Sequence, residues 1–185
     1  GVYYTENLSS LSSDLKTVKP HIFNTVPRLL EKVYDGIIGK GKNLPYVKKV
    51  IFFWAVRLGM KYELEKSFRP WYNFQLKIAR KLVFSKWKEG LGGNDLVIVS
   101  GGAALQKRLE HIFWAAGLPV CEGYGLTETS ATVSCFKSDE YTYGTCGTVM
   151  PGLELKIGAN NEILVKGKSV FSGYYKKEKE TREVM

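Results

Sequence analysis

Apolar positions fall into three textures along the chain. Up to about residue 90 the spacing is helical, interrupted once. Asp14 to Lys19 predicts a short helix that Pro20 stops. His21-Ile22-Phe23-Asn24-Thr25-Val26 then alternates weakly, as a buried strand would. Pro27 suits the first turn of a helix, where its missing N–H costs nothing. Leu29, Leu30, Val33, Tyr34, Ile37 and Ile38 recur at helical intervals, and Gly39 and Gly41 read as the stop. Two more helices are predicted, from Pro45 to about Tyr62 and from Trp71 to about Lys88. In the latter, Trp71, Phe74, Ile78 and Leu82 form one stripe, with Lys77, Lys81 and Lys88 on another side. That pattern predicts an amphipathic basic helix whose stripe packs on a core, or alternatively rests on a membrane surface.

From Leu91 the texture becomes strand, turn and helix. Leu96-Val97-Ile98-Val99 is continuous and β-branched, the look of a strand covered on both faces. It runs into Ser100-Gly101-Gly102-Ala103-Ala104. A helix with Leu105, Leu109, Ile112, Phe113 and Ala116 inward follows, then a short strand at Pro119-Val120-Cys121, which completes a βαβ unit. After Gly144 short strands alternate with turns, at Gly152 to Ile157 and Glu162 to Val165 around Ala159-Asn160-Asn161. The expected fold is α/β, a parallel or mixed sheet with flanking helices plus a small, barrel-like antiparallel β subdomain. Residues 1–143 are expected to form a partial α/β domain with a helical insert at about 40–90. Residues 144–185 are expected to form the β subdomain and a truncated helix.

Composition narrows the class. Apolar residues are 44% and charged residues 24%, which suits a globular domain and excludes a disordered tail or a disulfide-stapled miniprotein. The apolar run through Ile51 to Val56 falls far short of the roughly 20 residues that span a bilayer. Cys121, Cys135 and Cys146 have no zinc spacing with His21 and His111, so reduced thiols and a cytoplasmic setting are expected. The net charge of +9 raises the question of nucleic acid. Basic residues are dispersed among acids, as in Lys176-Lys177-Glu178-Lys179-Glu180, and no nucleic-acid-reading motif occurs, so no nucleic-acid partner is expected.

Two segments carry candidate chemistry, both where strands end, the usual ligand position in open α/β sheets. Gly101 and Gly102 lack Cβ atoms, so a flat ligand can lie on their backbone. In Glu122-Gly123-Tyr124-Gly125-Leu126-Thr127-Glu128-Thr129-Ser130, Gly123 and Gly125 flank an aromatic face free to stack on a base. Thr127 offers a phosphate its hydroxyl and amide, or could cap the next helix. Glu128 cannot bind phosphate directly but can hold Mg²⁺ that bridges to it. Gly167-Lys168-Ser169 is no P-loop, because the required first glycine is Glu162. No G-x-S-x-G elbow occurs, and the two histidines are far apart in sequence, so nucleophilic relays have little to work with.

The string Gly123-Tyr124-Gly125-Leu126-Thr127-Glu128-Thr129 resembles a core motif of the adenylate-forming superfamily of acyl-CoA synthetases, luciferases and adenylation domains. Ser100-Gly101-Gly102-Ala103-Ala104-Leu105 is similar to its adenine-binding strand end, and Gly147-Thr148-Val149-Met150-Pro151-Gly152 to its next motif. Glu162 to Gly167, then Phe171-Ser172-Gly173-Tyr174-Tyr175, resembles the strand and helix after that. The opening Lys19 to Arg28, and the helical insert before Leu82 to Trp87, are similar to long-chain fatty acid–CoA ligases.

That resemblance implies that Gly101, Gly102 and Ala103 flank the adenine while Tyr124 stacks on its other face. It implies that Glu122 and Gly123 line the acyl-adenylate pocket, with Gly125 in the same nucleotide-binding turn. Thr127 would contact the α-phosphate and Glu128 would hold Mg²⁺, the two being the catalytic positions. The implied reaction joins a fatty acid, ATP and coenzyme A, through acyl-AMP, to give acyl-CoA. Alternative substrates are medium-chain or aryl acids; a different class would be a lipid-surface or nucleic-acid-binding module. The family's phosphate loop would precede this segment, and its ribose-binding Asp and C-terminal domain would follow Met185. The chain is thus expected to be the central part of a large N-terminal domain, inactive alone, with its insert touching the inner membrane face.

Overall fold

The computed structural model describes residues 1–185 apart from 6, 8, 65–69, 94 and 137–140. It forms two compact units, Gly1–Cys121 and Glu122–Met185. The pattern-based boundary at 143/144 falls inside the second.

In the first unit, helix α1 (Leu11–Val18) closes on Lys19, which turns left-handed (φ 49°) so that its N–H returns to the Leu15 carbonyl at 2.9 Å. Strand β1 (Ile22–Thr25) follows, then α2 (Pro27–Lys42) with Pro27 opening its first turn. Gly39 and Gly41 do not end α2, as their position in the pattern suggested. Gly41 is a point of close approach: a Cβ there would fall 2.2 Å from the Phe52 ring on α3 (Tyr46–Gly59).

The last predicted helix is composite. Helix α4 (Pro70–Ala79) passes into a π-helical turn at Arg80–Phe84 and then into α5 (Ser85–Gly90). Its core-facing residues are Leu76, Ala79, Val83, Phe84 and Trp87. The stripe that the pattern assigned to packing is exposed instead: Trp71 is 70% and Phe74 55% accessible, and Ile78 and Leu82 are also exposed. Both faces of this segment are apolar, so the partner helices decide which goes inward.

The sheet has the order β1-β2-β3, with β2 (Val97–Gly101) central and β3 (Val120–Gly123) running across the junction of the units. β1 is parallel to β2, in register from Ile22↔Val97 to Thr25↔Ser100. Being an edge strand, β1 leaves Ile22 exposed rather than buried. On β2 and the residue before it, Leu96, Ile98 and Ser100 are buried, whereas Val97 and Val99 are only half-buried, so one face rather than both is fully covered. Helix α6 (Lys107–Ala115) covers the sheet with Leu109, Ile112 and Phe113 fully buried, and the Trp114 indole N–H donates to the Val120 carbonyl at 2.9 Å. Leu105 and Ala116 are buried as the spacing predicts.

Residues of the insert belong to this core. Around Trp87 stand the rings of Tyr34, Phe52, Phe84 and Phe113, with centroids 6.4, 6.3, 5.2 and 6.3 Å away. Arg80 donates through Nε to the Ala115 carbonyl at 2.8 Å, placing its charge on the C-terminal end of α6.

In the second unit, β4 (Ser134–Cys135) pairs antiparallel with β5 (Thr148–Val149), and β6 (Leu153–Ile157) with β7 (Ile163–Gly167). Asn160 and Asn161 both turn left-handed between β6 and β7, a conformation asparagine tolerates. Among the described residues these are two separate two-stranded ladders and not a closed barrel. Helix α7 (Glu178–Val184) carries only solvent-facing or half-buried residues.

Trp87→Ala should destabilise the chain by about 3–5 kcal/mol in urea unfolding, the usual cost of emptying an aromatic site. Trp87→Phe should cost clearly less, because it also removes an indole N–H that is buried without a hydrogen-bond partner.

Candidate functional site

The two sequence motifs belong to different units, Ser100–Leu105 to the first and Glu122–Ser130 mainly to the turn that opens the second. In the first, β2 ends at Gly101 and the chain turns outward. Gly102 adopts φ 84°, and nothing lies within 4 Å of where its Cβ would be. Gly102 and Ala103 are exposed and Gly101 half-buried, so the strand end presents bare backbone. Immediately behind it sits a feature the sequence does not single out. Thr25 and Ser100 are register neighbours on β1 and β2, and both hydroxyl oxygens are buried without a hydrogen-bond partner. A buried hydroxyl left unpaired costs about 1–3 kcal/mol, so this pair is an unsatisfied polar spot at the carboxyl end of the strands.

In the second motif the backbone is braced before any side chain acts. The Tyr124 carbonyl accepts from Val133 N–H at 2.8 Å and Ser134 N–H at 3.1 Å, and its own N–H donates to the Ser134 carbonyl at 3.0 Å. The loop then folds so tightly that a Cβ on Gly125 would lie 1.5 Å from the Ala131 carbonyl oxygen. Only glycine fits there. Opposite it, Ser130 (φ 52°) and Ala131 (φ 83°) are consecutive left-handed residues, a conformation side chains resist.

Thr127–Thr129 forms a single 3₁₀ turn. Thr127 is not its cap. The hydroxyl of buried Thr129 takes that role: it accepts from Leu126 N–H at 3.1 Å and donates to the Leu126 carbonyl at 3.0 Å. Thr127 is exposed, while Tyr124 and Glu128 are half-buried and Glu122 is buried.

Glu128 is held from two sides. Its backbone carbonyl accepts from Phe171 N–H at 2.8 Å, and its Oε1 accepts from the Tyr174 hydroxyl at 2.7 Å. Tyr174 is itself anchored, its N–H donating to the Thr181 hydroxyl at 2.9 Å and its ring meeting Phe171 edge-on. The Tyr174 hydrogen bond holds the Glu128 carboxyl below its ordinary range and raises the tyrosine in turn. Nothing local in the sequence announces Tyr174 as this partner, which lies 46 residues away.

The donor set fits Mg²⁺. Mg²⁺ commonly takes one or two carboxylates and completes its shell with waters and substrate phosphates. Glu128 keeps Oε2 outside the Tyr174 hydrogen bond and stays ionised. Among the described residues no cluster of three or more His, Cys, Asp and Glu is gathered, as an all-protein cage would need.

Because the folded-state pKa of Glu128 is depressed, the stabilisation from this contact is present above the ordinary carboxylate range and is lost as pH falls through the depressed value. In Tyr174→Phe the Glu128 carboxyl should titrate at a higher pH than in the parent chain. Carboxyl-carbon NMR titration would read this directly, and unchanged titration would remove Tyr174 from the site.

Comparison with known proteins identifies the family. A long-chain-fatty-acid–CoA ligase of Mycobacterium bovis, FadD15, is 36% identical over 190 residues, covering 98% of this chain and 30% of the relative. Long chain acyl-CoA synthetase 3 of Arabidopsis thaliana is 34% identical over 197 residues, covering 98% of this chain and 29% of the relative. The chain therefore spans about 30% of the length of these relatives. Among solved structures, a long-chain-fatty-acid-CoA ligase from Archaeoglobus fulgidus matches with a TM-score of 0.60 at 18% identity, over 96% of this chain and 30% of that one. O-succinylbenzoate coenzyme A synthetase of Bacillus subtilis, in complex with ATP and magnesium, matches with a TM-score of 0.55 at 16% identity, over 97% and 29%. These structures show that the chain shares their α/β fold. Together with the match of the family described as "AMP-binding enzyme" over residues 2–175, they place the chain: it belongs to the AMP-binding enzyme family.

Proposed function

We propose that the chain is the nucleotide-binding segment of a long-chain fatty acid–CoA ligase, which makes acyl-CoA, AMP and pyrophosphate from fatty acid, ATP and coenzyme A. The observation that carries this reading is the extent of the match. At 98% coverage the similarity to long-chain ligases runs through the helical stretch 40–90 as well as the glycine motifs.

In the first half-reaction a carboxylate oxygen of the fatty acid attacks the α-phosphorus of ATP, a new P–O bond forms, and pyrophosphate leaves. In the second, the coenzyme A thiolate attacks the acyl carbon, and AMP leaves with the electrons of the broken C–O bond. Neither step needs a protein nucleophile; both need reactants aligned and negative charge offset. In the first unit Gly101, Gly102 and Ala103 offer bare backbone on which an adenine can lie, and in the second Tyr124 offers a ring that can stack on a base. Glu122 and Gly123 line the acyl-adenylate, and the exposed Thr127 donates through its hydroxyl to an α-phosphate oxygen. Glu128 would hold Mg²⁺ through the carboxylate that Tyr174 keeps ionised and fixed. The ion, when bound, neutralises charge on the phosphate oxygens.

Calorimetry with a non-hydrolysable palmitoyl-adenylate analogue tests the assignment. Tyr124→Ala should weaken binding by the worth of one base stack, about 1–3 kcal/mol. Glu128→Ala should abolish the gain from added Mg²⁺ and leave Mg²⁺-free binding intact. Failure of the parent chain to bind, or equal binding by Tyr124→Ala, overturns the reading.

A cytoplasmic enzyme seated on the inner membrane face is part of the same proposal. Its support is the exposed stripe of the composite helix, where the Trp71 and Phe74 rings stack at 5.8 Å and Lys77 and Lys81 are likewise exposed. Exposed apolar rings and lysines on one helix suit an anionic bilayer surface. The double variant Trp71→Ser, Phe74→Ser should co-sediment several-fold less with phosphatidylserine-containing vesicles, and parent-like sedimentation would exclude the stripe as the contact.

A further inference from the structure

A cavity of about 590 Å³ opens within the first unit, walled by α1, α2, α3, the π turn and α5. This is an ordinary size for a small-molecule pocket. Its apolar lining includes Leu15, Val33, Ile37, Ile51, Phe52 and Trp87. The charged residues along it are Lys32, Lys40, Lys48 and Lys86, all exposed, and no carboxylate joins them. None of the four lysines pairs with an acidic side chain among the described residues.

Two local features keep the space open. Gly36 lies inside α2 on the cavity wall, and nothing is found within 4 Å of the position its Cβ would take. A helix-interior glycine costs stability relative to alanine, and here no close packing requires it. The π turn contributes Leu82 and Val83 to the lining, and such turns recur at functional sites.

Within the first unit the cavity lies at the other end of the strands from the Ser100–Ala103 turn. Leu11, Ser12 and Leu15 precede β1, and Gly90 and Leu91 precede β2. Because β1 and β2 are parallel, these residues gather at the amino edge of the sheet, opposite Ser100–Ala103.

We propose that this cavity is a second binding site, for a single-chain alkyl carboxylate. The alkyl chain lies on the apolar lining, where burial from water drives it in. The carboxylate meets the lysines at the rim, whose unopposed charge selects an anion over an alcohol or an amine of equal length. The assignment rests on the cavity's own chemistry and stands whether or not the nucleotide motifs act as proposed.

Binding of decanoate, dodecanoate and tetradecanoate to the chain, below their micellar concentrations, tests it by calorimetry. Affinity should rise about fourfold per added methylene. Dodecanol and dodecylammonium should bind at least about tenfold more weakly than dodecanoate. Gly36→Phe places a ring in the open space and should reduce dodecanoate binding at least about tenfold, whereas Gly36→Ala should retain it. The exposed pair Lys40→Gln, Lys86→Gln should weaken dodecanoate and leave dodecanol unchanged, and this pair decides the matter if Gly36→Phe does not fold. Saturating palmitoyl-adenylate analogue should leave dodecanoate affinity unaltered. Parent-like binding by Gly36→Phe, dodecanol as tight as dodecanoate, displacement by the analogue, or no binding of any chain length each overturns the proposal. Loss of analogue binding in Tyr124→Ala, by contrast, reports on the nucleotide site alone.

Discussion

Burial of Trp87 is the constraint on which the first unit depends. One indole brings together rings from α2, the insert helix α3, the π turn and α6, so removing it loosens four elements together. The packing is strong enough to tolerate a buried indole N–H with no partner. It follows that the stretch 40–90, which resembles an added segment when read along the chain, contributes described residues to that core. Phe52, Ala55 and Val56 from α3, with Leu76 and Ala79 from α4, belong to the same core as the central strand. The insert holds α6 down on the sheet, through Arg80 and through the ring cluster, and α6 in turn anchors the strand that leads into the glycine-rich turn.

Within the second unit, order is supplied by backbone rather than by burial. The Tyr124–Ser134 pairing, the Thr129 hydroxyl and the contact of Gly125 with Ala131 fix the turn from inside, and Tyr174 fixes Glu128 from outside. Preorganisation of this kind suits a reaction whose barrier falls by alignment and charge neutralisation. The Glu128 carboxylate is already oriented by Tyr174 and favoured in its ionised form, beside an exposed threonine.

Much of this was legible in the residues. Leu105, Leu109, Ile112, Phe113 and Ala116 face inward as their spacing requires, because α6 has only one apolar face. The β6–β7 hairpin forms where Asn160-Asn161 marks it. The composite helix was not legible, since it is apolar on two sides and only its neighbours choose between Trp71/Phe74/Ile78/Leu82 and Leu76/Ala79/Val83/Trp87. Gly41 read as a helix stop because local propensity knows nothing of the Phe52 ring packed against it. The same holds at the site. The glycines and Glu128 were visible in a contiguous string, but the Tyr174 contact spans a long separation and the Thr129 cap competes with an equally plausible Thr127.

The meeting of Gly125 with Ala131 also limits how this loop can change over generations. Any side chain at 125 collides with a main-chain oxygen, which no rotamer at 131 can move. Position 131 itself turns left-handed, so β-branched residues are barred from it. Drift at either position is therefore closed until the whole turn is rebuilt, with Ser130 and the Tyr124–Ser134 pairing altered in the same step. The turn is inherited as a block, and diversity among descendants of this chain should accumulate around it rather than within it.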